Sequence, residues 1–153
     1  MSSGLLLPEK GDCAFCAYLS GGRPYTILRR DALTATLVTR EQRGKPHLLI
    51  IPIAHRATLL DLQDQEAYAL MVAVRDAARL IDRAYKRPGI AVWQNNGVDA
   101  DQTIRHLHFH VAGTLDEGGT ERGKVIELSV EQTDKIAERL CQGEQSLRND
   151  ASS

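Results

Sequence analysis

Residues 106–110 read His-Leu-His-Phe-His, and this alternation constrains the backbone more tightly than any other stretch of the chain. A β-strand turns successive side chains to opposite faces. As a strand, the segment would show its imidazoles on one face and bury Leu107, Phe109 and Val111 on the other. Three of the five histidines in the chain fall in this window. The fold therefore needs a sheet with one packed face and one face bearing chemistry.

Other segments supply the rest of that sheet. Tyr25 to Leu28 and Leu33 to Val38 are β-favouring runs separated by the turn-like Arg29-Arg30-Asp31, and His47 to Pro52 reads as a strand closed by proline. From about Gln63 to Lys86 the period becomes helical. Leu70, Val74, Ala77, Ile81 and Tyr85 share one face, Asp61 or Asp64 is the expected cap, and Pro88-Gly89 the stop. Ile90 to Gln94 is a further strand, and Asn95 to Thr103 a polar loop. A second helix is expected over about Val130 to Leu140, capped by Ser129, with a solvated tail from Gly143. The strand connections are too tight for parallel crossovers, so the expected class is antiparallel α+β.

A chain of 153 residues suits a single domain with a sizeable core. We expect loosely ordered residues 1–12, one domain over 13–141, and a flexible 142–153. The net charge of −1 is evenly mixed and offers no basic stripe for a nucleic-acid polymer. The start of the chain lacks a basic, then apolar, leader, and no stretch reaches membrane-spanning length. With three cysteines at uneven spacing, no disulfide framework is read. The expectation is a cytoplasmic protein without a membrane partner.

Histidine at these positions suits nucleophilic and proton-transfer work, because its ordinary pKa of about 6.5 leaves it largely neutral at pH 7. Residues two apart on a strand are separated by roughly 6.5–7 Å, whereas ligands of one zinc lie about 2 Å from it. The three imidazoles are therefore expected to divide their tasks rather than share one ion. Cys13-Ala-Phe-Cys16 has the spacing of two zinc thiolates. A redox pair is the competitor, although no βαβ pattern surrounds it. No glycine-rich phosphate loop followed by lysine is present, so neither that mechanism nor its magnesium is indicated.

Asn95-Asn96-Gly97, Ala100, Gln102-Thr103-Ile104 and His106-Leu-His108-Phe-His110-Val together resemble the signature of the histidine triad (HIT) family. Pro46-His47-Leu-Leu-Ile-Ile-Pro-Ile-Ala-His55 is similar to that family's second characteristic stretch. The resemblance covers roughly residues 13–114. It implies a five-stranded antiparallel sheet with one long and one C-terminal helix, commonly in a homodimer. It also implies hydrolysis of a substituted nucleoside monophosphate at its α-phosphorus through a covalent intermediate on the middle histidine, here His108. His110 would then serve the phosphate and leaving group, with His47 as the hydrogen-bonding support. Histidine at 110, rather than glutamine, favours hydrolysis over transfer.

By the same resemblance Asn95, Gln102 and Thr103 would bind phosphate, and Cys13, Cys16, His55 and His106 would hold a structural zinc. Three positions depart from the pattern. Thr39 stands where the family has an acidic residue or asparagine for the ribose hydroxyls. Asp101 replaces a common glycine, and Gly113 a frequent proline. Arg105 precedes the triad and, by alternation, faces away from it. A small nucleotide is the expected partner. A non-catalytic nucleotide-binding module and a hydrolase with catalytic zinc on the triad are the alternatives.

Overall fold

The alternating runs pair as one antiparallel sheet in a computed structural model that describes residues 3–151. Its strands are β1 (Thr26–Arg30), β2 (Thr34–Val38), β3 (His47–Pro52), β4 (Ile90–Gln94) and β5 (Phe109–Gly113), in the order β1-β2-β3-β5-β4. Among the described residues three α-helices accompany them: α1 (Ala14–Ser20), α2 (Asp64–Tyr85) and α3 (Val130–Ala151). This is the expected α+β class, with β5 inserted between β3 and β4. No helix among the described residues is long and apolar enough to cross a membrane.

The two faces of the sheet are packed differently. Val38, Leu48, Ile50, Leu107 and Val111 meet Leu70, Val74, Ala77 and Ile81 of α2 and Leu140 of α3 in the larger core. Each fully buried leucine or isoleucine there contributes about 1.5–3 kcal/mol by leaving water. On the opposite face Leu37, Leu49 and Ile51 pack under Phe15 of α1. Alternation thus sends neighbouring residues of β3 into two cores. The face under α1 is also the face that carries the histidines.

Several local expectations are corrected. The cap of α2 is neither Asp61 nor Asp64: Gln63 and Glu66 form a reciprocal capping box, while Asp61 pairs with Thr58 around a short 3₁₀ turn. Helix α1 was not anticipated. Its N-cap is Cys13, whose Sγ accepts the Cys16 N–H, and Gly21 ends it at φ 80°. The strand of the triad starts only at Phe109, because Leu107 N–H donates to Arg56 O instead of a ladder partner. Side-chain alternation nevertheless persists through 106–108.

The segment expected as a tail from Gly143 instead continues α3 to Ala151, the last two residues of the chain lying outside the described ones. Packing explains the extension. A Cβ on Gly143 would stand 3.1 Å from Ala84 Cβ, so the two small residues let α3 lie close on α2. Ser129 does cap this helix, through a reciprocal pair with Gln132. Within the stretch expected to be loose, residues 1 and 2 lie outside the described ones. Residues 3–12 have no helix or strand but rest on the 97–105 loop: Val98 N–H donates to Leu6 O, and Arg105 Nη1 to Pro8 O.

Candidate active site

The start of β3 and the start of β5 bring His47, His108 and His110 together above the α1 face. Leu49 stands directly opposite His110, and His47 is the next β3 residue on that same face. His108 Nδ1 lies 2.8 Å from His106 O. A carbonyl can only accept, so Nδ1 carries the proton and the lone pair of His108 is at Nε2. Burial lowers the proton affinity of this ring, opposed by that carbonyl. His108 is therefore neutral at pH 7, in the tautomer a nucleophile needs.

His110 Nδ1 is 3.0 Å from His47 Nε2. His47 Nδ1 lies between Glu41 O at 3.1 Å and the Arg43 N–H at 3.2 Å, so either tautomer of His47 has a partner. Burial is the main cause that brings the His47 pKa down to about 4. His110 is held far below the ordinary value by burial first, then by His108, His47 and the Arg43 guanidinium. The triad region is thus a group of neutral rings beside one permanent cation. Phosphate oxygens could approach it without meeting a carboxylate among the groups that perturb these rings.

The other set of predicted residues converges a few ångströms away. Cys13 Sγ is 3.3 Å from His106 Nδ1, Cys16 Sγ is 3.4 Å from His55 Nδ1 and 3.7 Å from His106 Nδ1. All four donor atoms lie within 4.8 Å of one another. A tetrahedron with zinc–sulfur and zinc–nitrogen bonds of about 2.3 and 2.05 Å has S···N edges of about 3.5 Å. The donors fit such a metal. His106 Nε2 donates to Pro52 O at 2.9 Å, so its Nδ1 lone pair is turned toward the thiols. Burial and the nearby Cys13 raise the Cys16 thiol to about 11. A cation between the sulfurs would reverse that shift.

The remaining predicted residues have more varied placements. Gln102 is buried and uses its whole amide inside the loop: Oε1 accepts from Gly97 N–H, and Nε2 donates to Ala57 O and Ile104 O. Thr39 is also buried, its hydroxyl accepting from Glu41 N–H. Asn95 is half-buried just past the end of β4, and Thr103 is exposed. Pro8 to Ala14, His55 and Thr103 to Arg105 line a cleft of about 410 Å³ beside the cysteines. Asp101 is exposed and takes φ 67°, the conformation that suits the glycine common there. Arg105 holds the N-terminal segment through Pro8 O.

Sequence reasoning missed four neighbours of these histidines. Phe15, buried on α1, sets its ring edge-on at 5.5 Å from His106 and 5.2 Å from His108. Trp93 stacks on His110 with centroids 4.6 Å apart and planes 5° apart. Gln42 clasps His47 by its backbone N–H and carbonyl. Arg43 supplies the cation, its guanidinium held by Gly123 O and the Glu41 carboxylate. Only Trp93 left a signal in the sequence, as the chain's one tryptophan in a strand pattern.

Known proteins resemble this chain in sequence and in fold. The chain is 30% identical over 99 residues to the adenosine 5'-monophosphoramidase hnt1 of Schizosaccharomyces pombe, covering 65% of this chain and 71% of that protein. Its fold matches a Hit-like protein from Bartonella henselae with a TM-score of 0.81 at 21% identity, covering 89% of this chain and 98% of the other. It also matches a Zn-bound histidine triad family protein from Mycobacterium smegmatis, with a TM-score of 0.67 at 22% identity over 88% of this chain and 96% of the other. A family model described as the HIT domain matches residues 21–116, and on that match the chain belongs to the histidine triad family.

Proposed function

We propose that the protein is a nucleotidyl hydrolase that cleaves a substituted nucleoside monophosphate at its α-phosphorus through a covalent intermediate on His108. The observation that carries this reading is the 2.8 Å contact from His108 Nδ1 to His106 O, which leaves Nε2 unprotonated. In the first step Nε2 forms a bond to phosphorus as the bond to the leaving group breaks, and His110, which takes up a proton once the anionic phosphate lies beside it, passes that proton to the departing atom. In the second step His110 takes a proton from water, the hydroxide adds to phosphorus, and the P–N bond breaks to restore His108. The His106 carbonyl stabilises the positive ring while both its nitrogens are substituted.

His47 supports His110 from its far nitrogen, and the reading gives Asn95 and Thr103 the substrate's phosphate. Gln102 serves by holding the shape of their loop, and Thr39 by closing the turn at 39–41. The relative named as a phosphoramidase supports a phosphoramidate or a similarly substituted nucleotide as the substrate class. Zinc is the metal we assign to Cys13, Cys16, His55 and His106. Four protein donors leave no open position, which supports a structural role over a catalytic one. A homodimer and a cytoplasmic setting complete the proposal. Exposed Tyr68 and Met71 on α2 and Val92 on edge strand β4 offer apolar surface for pairing, and sedimentation of the wild type against Tyr68→Glu tests it.

The central test is hydrolysis of adenosine phosphoramidate and a dinucleoside polyphosphate by the wild type and His108→Asn. Turnover that collapses in the variant, with a nucleotidyl adduct trapped on the intact protein, is the expected result. A folded wild type that binds AMP yet turns over neither compound would remove the hydrolase reading and leave a binding module.

A further inference from the structure

Trp93 has no place in the chemistry described so far, yet it makes the closest ring contact in the site. It lies on β4 directly opposite His110 of β5, so the register puts both side chains on the same face. The two rings are parallel within 5° at 4.6 Å. His47 leans on both, 5.2 Å from each, and binds His110 Nδ1 through its own Nε2 at 3.0 Å. His108 closes a further side at 5.0 Å.

We propose that Trp93 is a positioning residue for His110, its indole fixing the imidazole plane so that Nδ1 meets His47 and Nε2 faces the substrate. The proposal rests on the hydrolase reading above. The torsion that turns an imidazole about its Cβ–Cγ bond is broad and roughly two-fold, so one hydrogen bond at Nδ1 leaves the ring free to tilt. A flat partner on one face removes that freedom. A branched aliphatic residue at 93 could fill space but could not define a plane. Loss of such a constraint acts where His110 meets developing charge, in the transition state, and so in kcat rather than KM.

The experiment compares wild type, Trp93→Phe and Trp93→Leu by steady-state hydrolysis of adenosine phosphoramidate, with the melting temperature of each as a check on folding. An aromatic stack of this kind corresponds to roughly a two- to tenfold effect. We expect Trp93→Leu to lose kcat by about that factor with KM within twofold, and Trp93→Phe to restore most of it. In the resting protein, the carbon-bound ring protons of His110, assigned by their absence in His110→Gln, should be shifted upfield by the indole. They should move downfield in Trp93→Leu.

Unchanged kcat in Trp93→Leu, with wild type active, would overturn the proposal. A raised KM at constant kcat would also do so, by making Trp93 a substrate contact. Equal losses in both variants would show that flatness is irrelevant and likewise sink it. If the wild type turns over nothing, the hydrolase reading itself fails and takes the proposal with it. The resonance shifts would then record a contact without a catalytic task.

Discussion

Replacing Gly113 by alanine should damage the fold and the site together. An added Cβ would fall 2.3 Å from Lys45 O, 2.6 Å from Arg87 Cγ and 3.1 Å from Lys45 C. Ordinary carbon–oxygen contacts begin at about 3.3 Å, so the Lys45 carbonyl would have to retreat by about 1 Å. That carbonyl belongs to main chain tied to Gly113 by two hydrogen bonds, Lys45 N–H to Gly113 O at 2.8 Å and Gly113 N–H to Pro46 O at 3.0 Å. Overpacking of about 1–3 kcal/mol and two weakened hydrogen bonds of about 1 kcal/mol each give a loss of roughly 3–5 kcal/mol. For a chain this size the melting temperature should fall by about 10 °C.

The site should respond as well, since Pro46 precedes His47 and the Arg43 N–H reaches His47 Nδ1. Urea unfolding of Gly113→Ala beside Gly11→Ala provides the assay. Gly11 has nothing within 4 Å of its added Cβ and should stay within about 0.5 kcal/mol of wild type. Gly44 faces the same contact from the other side, 2.4 Å from Gly113 O, so the double variant should lose less than the sum of its parts. If Gly113→Ala matches Gly11→Ala in stability, the close approach of these two segments is not what holds them.

Three further outcomes are expected. Purified protein should hold one zinc per chain by elemental analysis, and Cys16→Ala should lose both the metal and about 10 °C of melting temperature, by the linkage of metal binding to folding. The His47 pKa of about 4 lies below its unfolded value near 6.5, so the unfolded chain takes up the proton first. This contribution of about 3 kcal/mol is complete above pH 6.5, declines as pH falls toward 4 and is gone below; urea unfolding at pH 7 and 4.5 should show a smaller acid loss in His47→Gln than in wild type. Glu66→Ala should cost about 1–2 kcal/mol by denaturant unfolding, because this buried carboxylate binds both Gln63 N–H and Arg56 Nε.

Features governed by local pattern were legible in the sequence. The β3 strand ended at Pro52 as its chemistry requires, and the apolar positions of α2 packed as their spacing implied. The convergence of Cys13, Cys16, His55 and His106 also followed, because the family resemblance links distant segments that periodicity alone cannot. Features set by tertiary contact were not legible. Helix α1 has only seven residues, too short for a period to emerge. The extension of α3 past Leu140 runs through Gly143, whose close approach to Ala84 leaves no mark in a helical period. The partners of the Gln102 amide include Ala57 O, 45 residues upstream. The Trp93 stack depends on the register of two strands that no local pattern sets.

His106 links the Cys13, Cys16 and His55 cluster to His108 by a division within one residue. Its ring faces the thiols, while its main-chain oxygen selects the tautomer of His108 two positions on. Because a carbonyl is common to every amino acid, substitution at 106 would remove the imidazole from the cluster and still leave the acceptor for the His108 Nδ1 proton. The tautomer is thus safe from side-chain mutation and vulnerable only to displacement of the chain. Descendants of this sequence that lost the four-residue cluster would keep the His108 tautomer, provided something else held residue 106 in place.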